Sequence, residues 1–178
     1  MVGVGNEYET FSENFKYAAE KTHNVEQGYN NNPDDLGGET KYGITKREFP
    51  NEDIKNLTKE RALYLLKTRY WDVMLLDLVK SKLVAAEIYD TGVNCGPGTA
   101  VRISQRAANA LNQSNVAVDG AMGEITAAAL NVASKRSEKA LLLTLNGLQC
   151  ARYVELTEKR ELNKKFFKGW ILKRVTLS

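Results

Sequence analysis

VEQGYNNNPDDLGGETKYGIT, residues 25–45, is the stretch on which the fold turns. One carboxylate, Glu26, stands ahead of a segment crowded with Asn, Asp, Pro and Gly, which closes on the β-favouring KYGIT. Upstream, residues 8–25 read as a helix, because Phe11, Phe15, Ala18 and Ala19 share one stripe at spacings of three and four. A helix that runs straight into a hairpin lets its last turn face that hairpin across a cleft. An acid at such a helix end is half desolvated, which disfavours its charged form and raises its pKa, as a general acid near neutral pH requires. Asp35 and Thr40 follow in the turn-rich stretch and complete a two-acid arrangement. Gly37 and Gly38 permit a sharp turn. Spacing alone also fits a plainer account, in which Asp34 and Asp35 bond their own turn and Glu26 is a solvated charge.

Length and composition narrow the classes. The chain has 178 residues and is 43% apolar, which suits one compact domain or a domain with a smaller second lobe. No apolar run reaches the roughly 18 residues of a membrane span. The N-terminus lacks a basic stretch followed by an apolar one, so synthesis as a soluble cytoplasmic chain without a secretory signal is expected. His23 is the one histidine, and no nucleophile motif accompanies it. The two cysteines, Cys95 and Cys150, read as buried thiols, with a disulfide left open. Metal-ligand spacing is missing, and no metal or cofactor is expected.

Charge divides the chain. Residues 1–95 carry 12 Lys/Arg against 16 Asp/Glu, net −4, and residues 96–178 carry 13 against 6, net +7. NCGPGT at 94–99 is the strongest internal stop signal and marks the expected boundary between lobes 1–95 and 96–178. Thr58 is placed to cap a helix over 58–70, Ser81 one over 81–92, and Thr99 one running to about 112. DGAMG at 119–123 reads as a turn, 124–134 and 137–160 as helices, and 161–175 as a last amphipathic segment. The expected fold is mainly α, an α+β arrangement in which a helical bundle carries a small β-hairpin beside the cleft.

The stretch as a whole resembles the signature of glycoside hydrolase family 108, a phage and bacterial muramidase group. The pattern Glu, x, Gly, six residues, Asp, x, Gly-Gly, x, Thr, two residues, Gly-Ile falls without a gap on Glu26, Gly28, Asp35, Gly37, Gly38, Thr40, Gly43 and Ile44. The likeness continues through RYWD at 69–72 and YDTGVNCGPGTAVRISQRAAN at 89–109. VDGAMGEIT at 118–126 is similar to the peptidoglycan-binding segment that follows the catalytic lobe in that family. Gln27, where a second small residue is expected, and the extra acid Asp34 are departures that leave every motif position in place.

The resemblance implies a lysozyme-like α+β fold and a lysozyme-type glycoside hydrolase that cleaves the β-1,4 bond between N-acetylmuramic acid and N-acetylglucosamine. Glu26 carries over as the catalytic glutamate, with Asp35 and Thr40 as its motif partners. Tyr29 and Tyr42 flank the acids and are candidates to stack on sugar faces, with core packing as the competing use. Asp90 either orients the site from behind or closes its own helix end. With the missing signal peptide, the resemblance fits a phage endolysin expected to wait in the host cytoplasm and to reach periplasmic peptidoglycan after release through a holin-type pore. A lytic transglycosylase, which also uses one glutamate, and a non-catalytic wall-binding or secretion-assisting protein are the competing functions.

The tail, residues 159–175, sets Leu162, Phe166 and Trp170 at spacings of four among Lys164, Lys165, Lys168, Lys173 and Arg174. It reads as a closing helix packed on the core or as a segment that lies on anionic envelope lipid. Peptidoglycan is the expected partner. Nucleic acid is not, since aromatic and basic residues interleave only here. A monomer is expected.

Overall fold

The computed structural model describes residues 11–23, 28–31, 38–113 and 115–175. Helix α1 spans Glu13–His23, and strands β1 (Thr40–Lys41) and β2 (Ile44–Thr45) form an antiparallel hairpin. Helices α2 (Lys59–Leu66), α3 (Lys82–Cys95), α4 (Pro97–Asn112), α5 (Glu124–Lys159) and α6 (Lys164–Arg174) follow. The fold is mainly α and lysozyme-like, with that hairpin as the one sheet among the described residues.

The caps explain most helix starts. The hydroxyl of Thr58 accepts from the Arg61 amide at 3.2 Å, and that of Ser81 from the Val84 amide at 3.2 Å, each satisfying an orphan donor of the first turn. Helix α2 stops at Leu66 and loosens into a π-helical turn, Lys67–Trp71, instead of running to residue 70. Helix α3 runs three residues past its expected end. Thr99 does not cap α4. Gly96, at φ 86°, ends α3, and Pro97 opens α4 as its first residue, where a missing N–H costs nothing. Helix α5 breaks at Ser137 (φ −162°, ψ 97°), whose hydroxyl accepts from the Ala140 amide and restarts the helix. The gap expected between 134 and 137 falls at this break.

One apolar cluster runs from Phe11 in the first lobe to Leu145 on α5, continuous across residues 95–97. Its centre is aromatic. Phe15 meets Phe11, Trp71 and Tyr89 edge-on, with centroids 5.3, 5.4 and 6.1 Å apart. Helices α1 and α4 both lie against α3, and α5 closes over α3 and α4. Gly92 is where α3 admits Met74: a Cβ there would stand 2.5 Å from the Met74 methyl.

The last helix differs. No residue of α6 is buried, and Phe166 and Leu172 are exposed, as is Leu162 just before it. Helix α6 leans on α5 by the Trp170 ring on Tyr153, with centroids 5.3 Å apart, and its C-terminal end is held by Arg174.

Candidate active site

The hairpin is tight because both residues of its turn, Tyr42 (φ 52°) and Gly43 (φ 78°), take left-handed backbone, the conformation that matches the twist of paired strands. Gly43 has a second reason to lack a side chain. A Cβ there would lie 2.7 Å from Nδ1 of His23, so the ring of His23 sits directly on the turn. On its other side Nε2 of His23 is 3.0 Å from the Tyr89 hydroxyl of α3. The last residue of α1 is thus clamped between the hairpin and α3. Burial pulls the His23 pKa down to about 4, with the Arg174 charge adding to the shift, so the ring is neutral at physiological pH.

A second pairing fixes the return of the chain. Asn30 and Thr40 exchange two backbone hydrogen bonds of 2.8 Å, which pins together the two ends of the stretch that carries Asp35 in sequence. Glu26 and Asp35 themselves lie outside the described residues. The Thr40 hydroxyl donates to the Gly38 carbonyl at 3.2 Å and stiffens the entry to β1. Tyr29 is exposed, and its hydroxyl donates to Glu39 Oε1 at 2.6 Å; that bond raises the phenol pKa. Tyr42 is half-buried, packs against the core and carries the Lys41 ammonium 5.3 Å above its ring. Beside β2 opens a cavity of about 470 Å³ lined by Thr45, Arg47, Glu48 and Arg69. Glu48 accepts there from the Tyr70 hydroxyl at 3.1 Å.

Asp90 is half-buried and already paired. Arg174 Nη1 donates to its Oδ1 at 2.6 Å, and the same nitrogen reaches the Thr22 carbonyl at 3.4 Å. Asp90 therefore acts on the last turn of α1 through the tail helix. Beneath this pair is a small enclosure of about 30 Å³ bounded by Lys21, Thr22, Glu87, Asp90, Lys173 and Arg174. Glu87 is only 4% exposed, and its Oε1 has no hydrogen-bond partner. Burial pushes its pKa up to about 7, the Asp90 charge adds to this, and Lys21 opposes it. Sequence reasoning missed Glu87, since nothing in AAEIYD distinguishes a buried acid from a solvated one. It also gave His23 no role, because its partners are 20 and 66 residues away.

Residues 19–96 match the family model of glycosyl hydrolase 108, and residues 99–175 match that of a predicted peptidoglycan domain. Residues 19–96 are a glycosyl hydrolase 108 domain. Residues 99–175 are a predicted peptidoglycan domain, and the chain is a glycoside hydrolase that acts on peptidoglycan. Among solved structures, that of Brucella abortus SagA aligns with a TM-score of 0.67 at 25% identity, covering 89% of this chain and 88% of that one. No curated protein matches the chain. Within the glycosyl hydrolase 108 domain, the motif residues Thr40, Gly43 and Ile44 have distinct structural jobs. Thr40 pins the loop return, Gly43 receives His23, and Ile44 is fully buried beneath the hairpin.

Proposed function

We propose that the enzyme is an N-acetylmuramidase that cleaves the β-1,4 bond between N-acetylmuramic acid and N-acetylglucosamine, with Glu26 as general acid. The observation that carries the proposal is the clamp on His23. Glu26 follows three residues later in the chain, and the clamp ties that departure point to the hairpin and to α3. Glu26 hands its proton to the glycosidic oxygen, while Asp35, or a water held by Asp35 and Thr40, supports the charge that develops on the sugar and supplies the attack. Tyr29 offers an exposed ring for a sugar face, and Asp90 positions the end of α1 through Arg174. The resemblance to a phage muramidase family favours a lysis role after release to the periplasm. The exposed Phe166 and Leu172, interleaved with lysines, favour contact of α6 with anionic envelope lipid.

Product analysis on purified peptidoglycan tests the reaction. New reducing ends on N-acetylmuramic acid are expected. Reducing N-acetylglucosamine ends would name a different bond, 1,6-anhydro ends would make the enzyme a lytic transglycosylase, and no release would leave a binding protein. Co-sedimentation with anionic vesicles tests the tail, with a Phe166→Ser/Leu172→Ser variant expected to bind less.

A further inference from the structure

A second charged feature lies in the peptidoglycan domain, away from the hairpin. Helix α4 presents Arg102 and Arg106 one turn apart, and α5 presents Arg152 across from them. The cavity between is about 300 Å³, at the small end of ligand pockets. Arg102 and Arg106 make no ion pair among the described residues, and Arg152 pairs only with Glu155, at 3.0 Å. The Nε of Arg152 is buried without a partner. Three guanidinium groups thus converge on one space with a single carboxylate at its edge.

Arg102 is held in place by the turn that follows α4. Gly120 has φ 82°, and a Cβ there would stand 2.9 Å from Arg102 Cζ and 2.9 Å from the Gly98 carbonyl. Gly120, the first glycine of VDGAMG, is therefore the surface against which Arg102 rests. Asp119 is directed away into the turn, accepting from Gln105 Nε2 at 2.8 Å and from the Ala121 amide at 2.8 Å. It closes the turn and leaves the Arg102 guanidinium facing the cavity. The remaining walls are Thr99 and three apolar residues, Ile103, Val118 and Leu148.

We infer that this groove binds the free carboxylates of the peptidoglycan stem peptide, with Arg102 and Arg106 as forked donors and Glu155 receiving an ammonium group. The inference rests on the chain acting on peptidoglycan and names which part of the polymer its second domain holds. Guanidinium groups bind carboxylates through two parallel hydrogen bonds, which fixes orientation as well as charge. The apolar walls suit aliphatic peptide side chains. The adjacent carboxylate suits a ligand that carries both signs, as a stem with diaminopimelate does, and disfavours a bare phosphate.

Titration of the full chain with a synthetic L-Ala-γ-D-Glu-diaminopimelate-D-Ala tetrapeptide tests this. The free-acid peptide should bind at least tenfold more tightly than the same peptide with its carboxylates amidated, and binding should weaken with salt. Arg102→Gln/Arg106→Gln alters two exposed side chains, so it should fold normally and lose at least tenfold in affinity. Equal binding of the amidated peptide, an unchanged double variant, or binding of inorganic phosphate with none of the peptide would each overturn the inference. Release of reducing ends from purified peptidoglycan reads the enzyme separately. Release without stem binding removes this groove alone, and stem binding without release removes the muramidase reading alone.

Discussion

The two lobes use charge in opposite ways. Around the end of α1 the titratable groups are drawn out of water: Glu87 and Tyr89 are buried and His23 is half-buried against Tyr89, with His23 held neutral and Glu87 carrying a pKa near 7. Along α4 and α6 the charges are displayed, with Arg102, Arg106, Lys164, Lys165 and Lys168 all exposed. Desolvation changes the proton affinity of a group, which is what acid catalysis uses. Solvated charge leaves proton affinity alone and attracts a partner. The acidic first half and basic second half of the sequence correspond to this division, although net charge alone does not reveal which groups are buried.

The sharpest way to break the contrast is at the clamp. Gly43→Ala forces a side chain into left-handed backbone and against the His23 ring at 2.7 Å. The cost should be roughly 2–5 kcal/mol, visible as a lower denaturation midpoint. Peptidoglycan hydrolysis should fall with it. An equally stable and active variant would show that the clamp does not hold the hairpin.

Glu87 and His23 give the next test, through pH. The raised pKa of Glu87 means that its contribution is fully present below about 4.5 and is lost as pH rises through about 7. The depressed pKa of His23 means that its contribution is present above 6.5 and is lost as pH falls toward about 4. Each is worth up to roughly 3 kcal/mol, and the two slopes oppose each other between about pH 4.5 and 6.5. Glu87→Gln should therefore be more stable than the wild type at pH 8 and should lose stability more steeply on acidification. His23→Phe should show the reverse slope. Thermal unfolding of the three proteins from pH 4 to 8 measures this, and parallel curves would refute it.

Smaller effects are expected toward the tail. Arg174→Ala removes a partly buried partner of Asp90 and should cost about 1–3 kcal/mol by denaturant unfolding. Leu172→Ser, at a residue 73% exposed, should change stability by no more than about 0.5 kcal/mol. A large loss there would mean that α6 is packed more closely than its exposure indicates.

Much of the fold was legible because its signals are local. Thr58 and Ser81 act within three residues of themselves, and the break at Ser137 is marked by a hydroxyl that restarts a helix. Thr99 misled because Pro97 is an even better opening residue and Gly96 supplies the bend ahead of it. The motif identified the candidate site by resemblance, with Glu26 and Asp35 outside the described residues. What spacing could not supply was the support behind it. His23 meets Gly43 and Tyr89, Asp90 meets Arg174, and Arg102 rests on Gly120, all contacts that exist only after the chain has folded.

The proposed catalysis rests on Glu26 as the proton donor. Clearing of purified peptidoglycan by Glu26→Gln, beside the wild type at matched concentration, tests that role directly. A loss of at least about 100-fold with an unchanged unfolding midpoint is predicted, and a folded variant that clears the wall at the wild-type rate would contradict it.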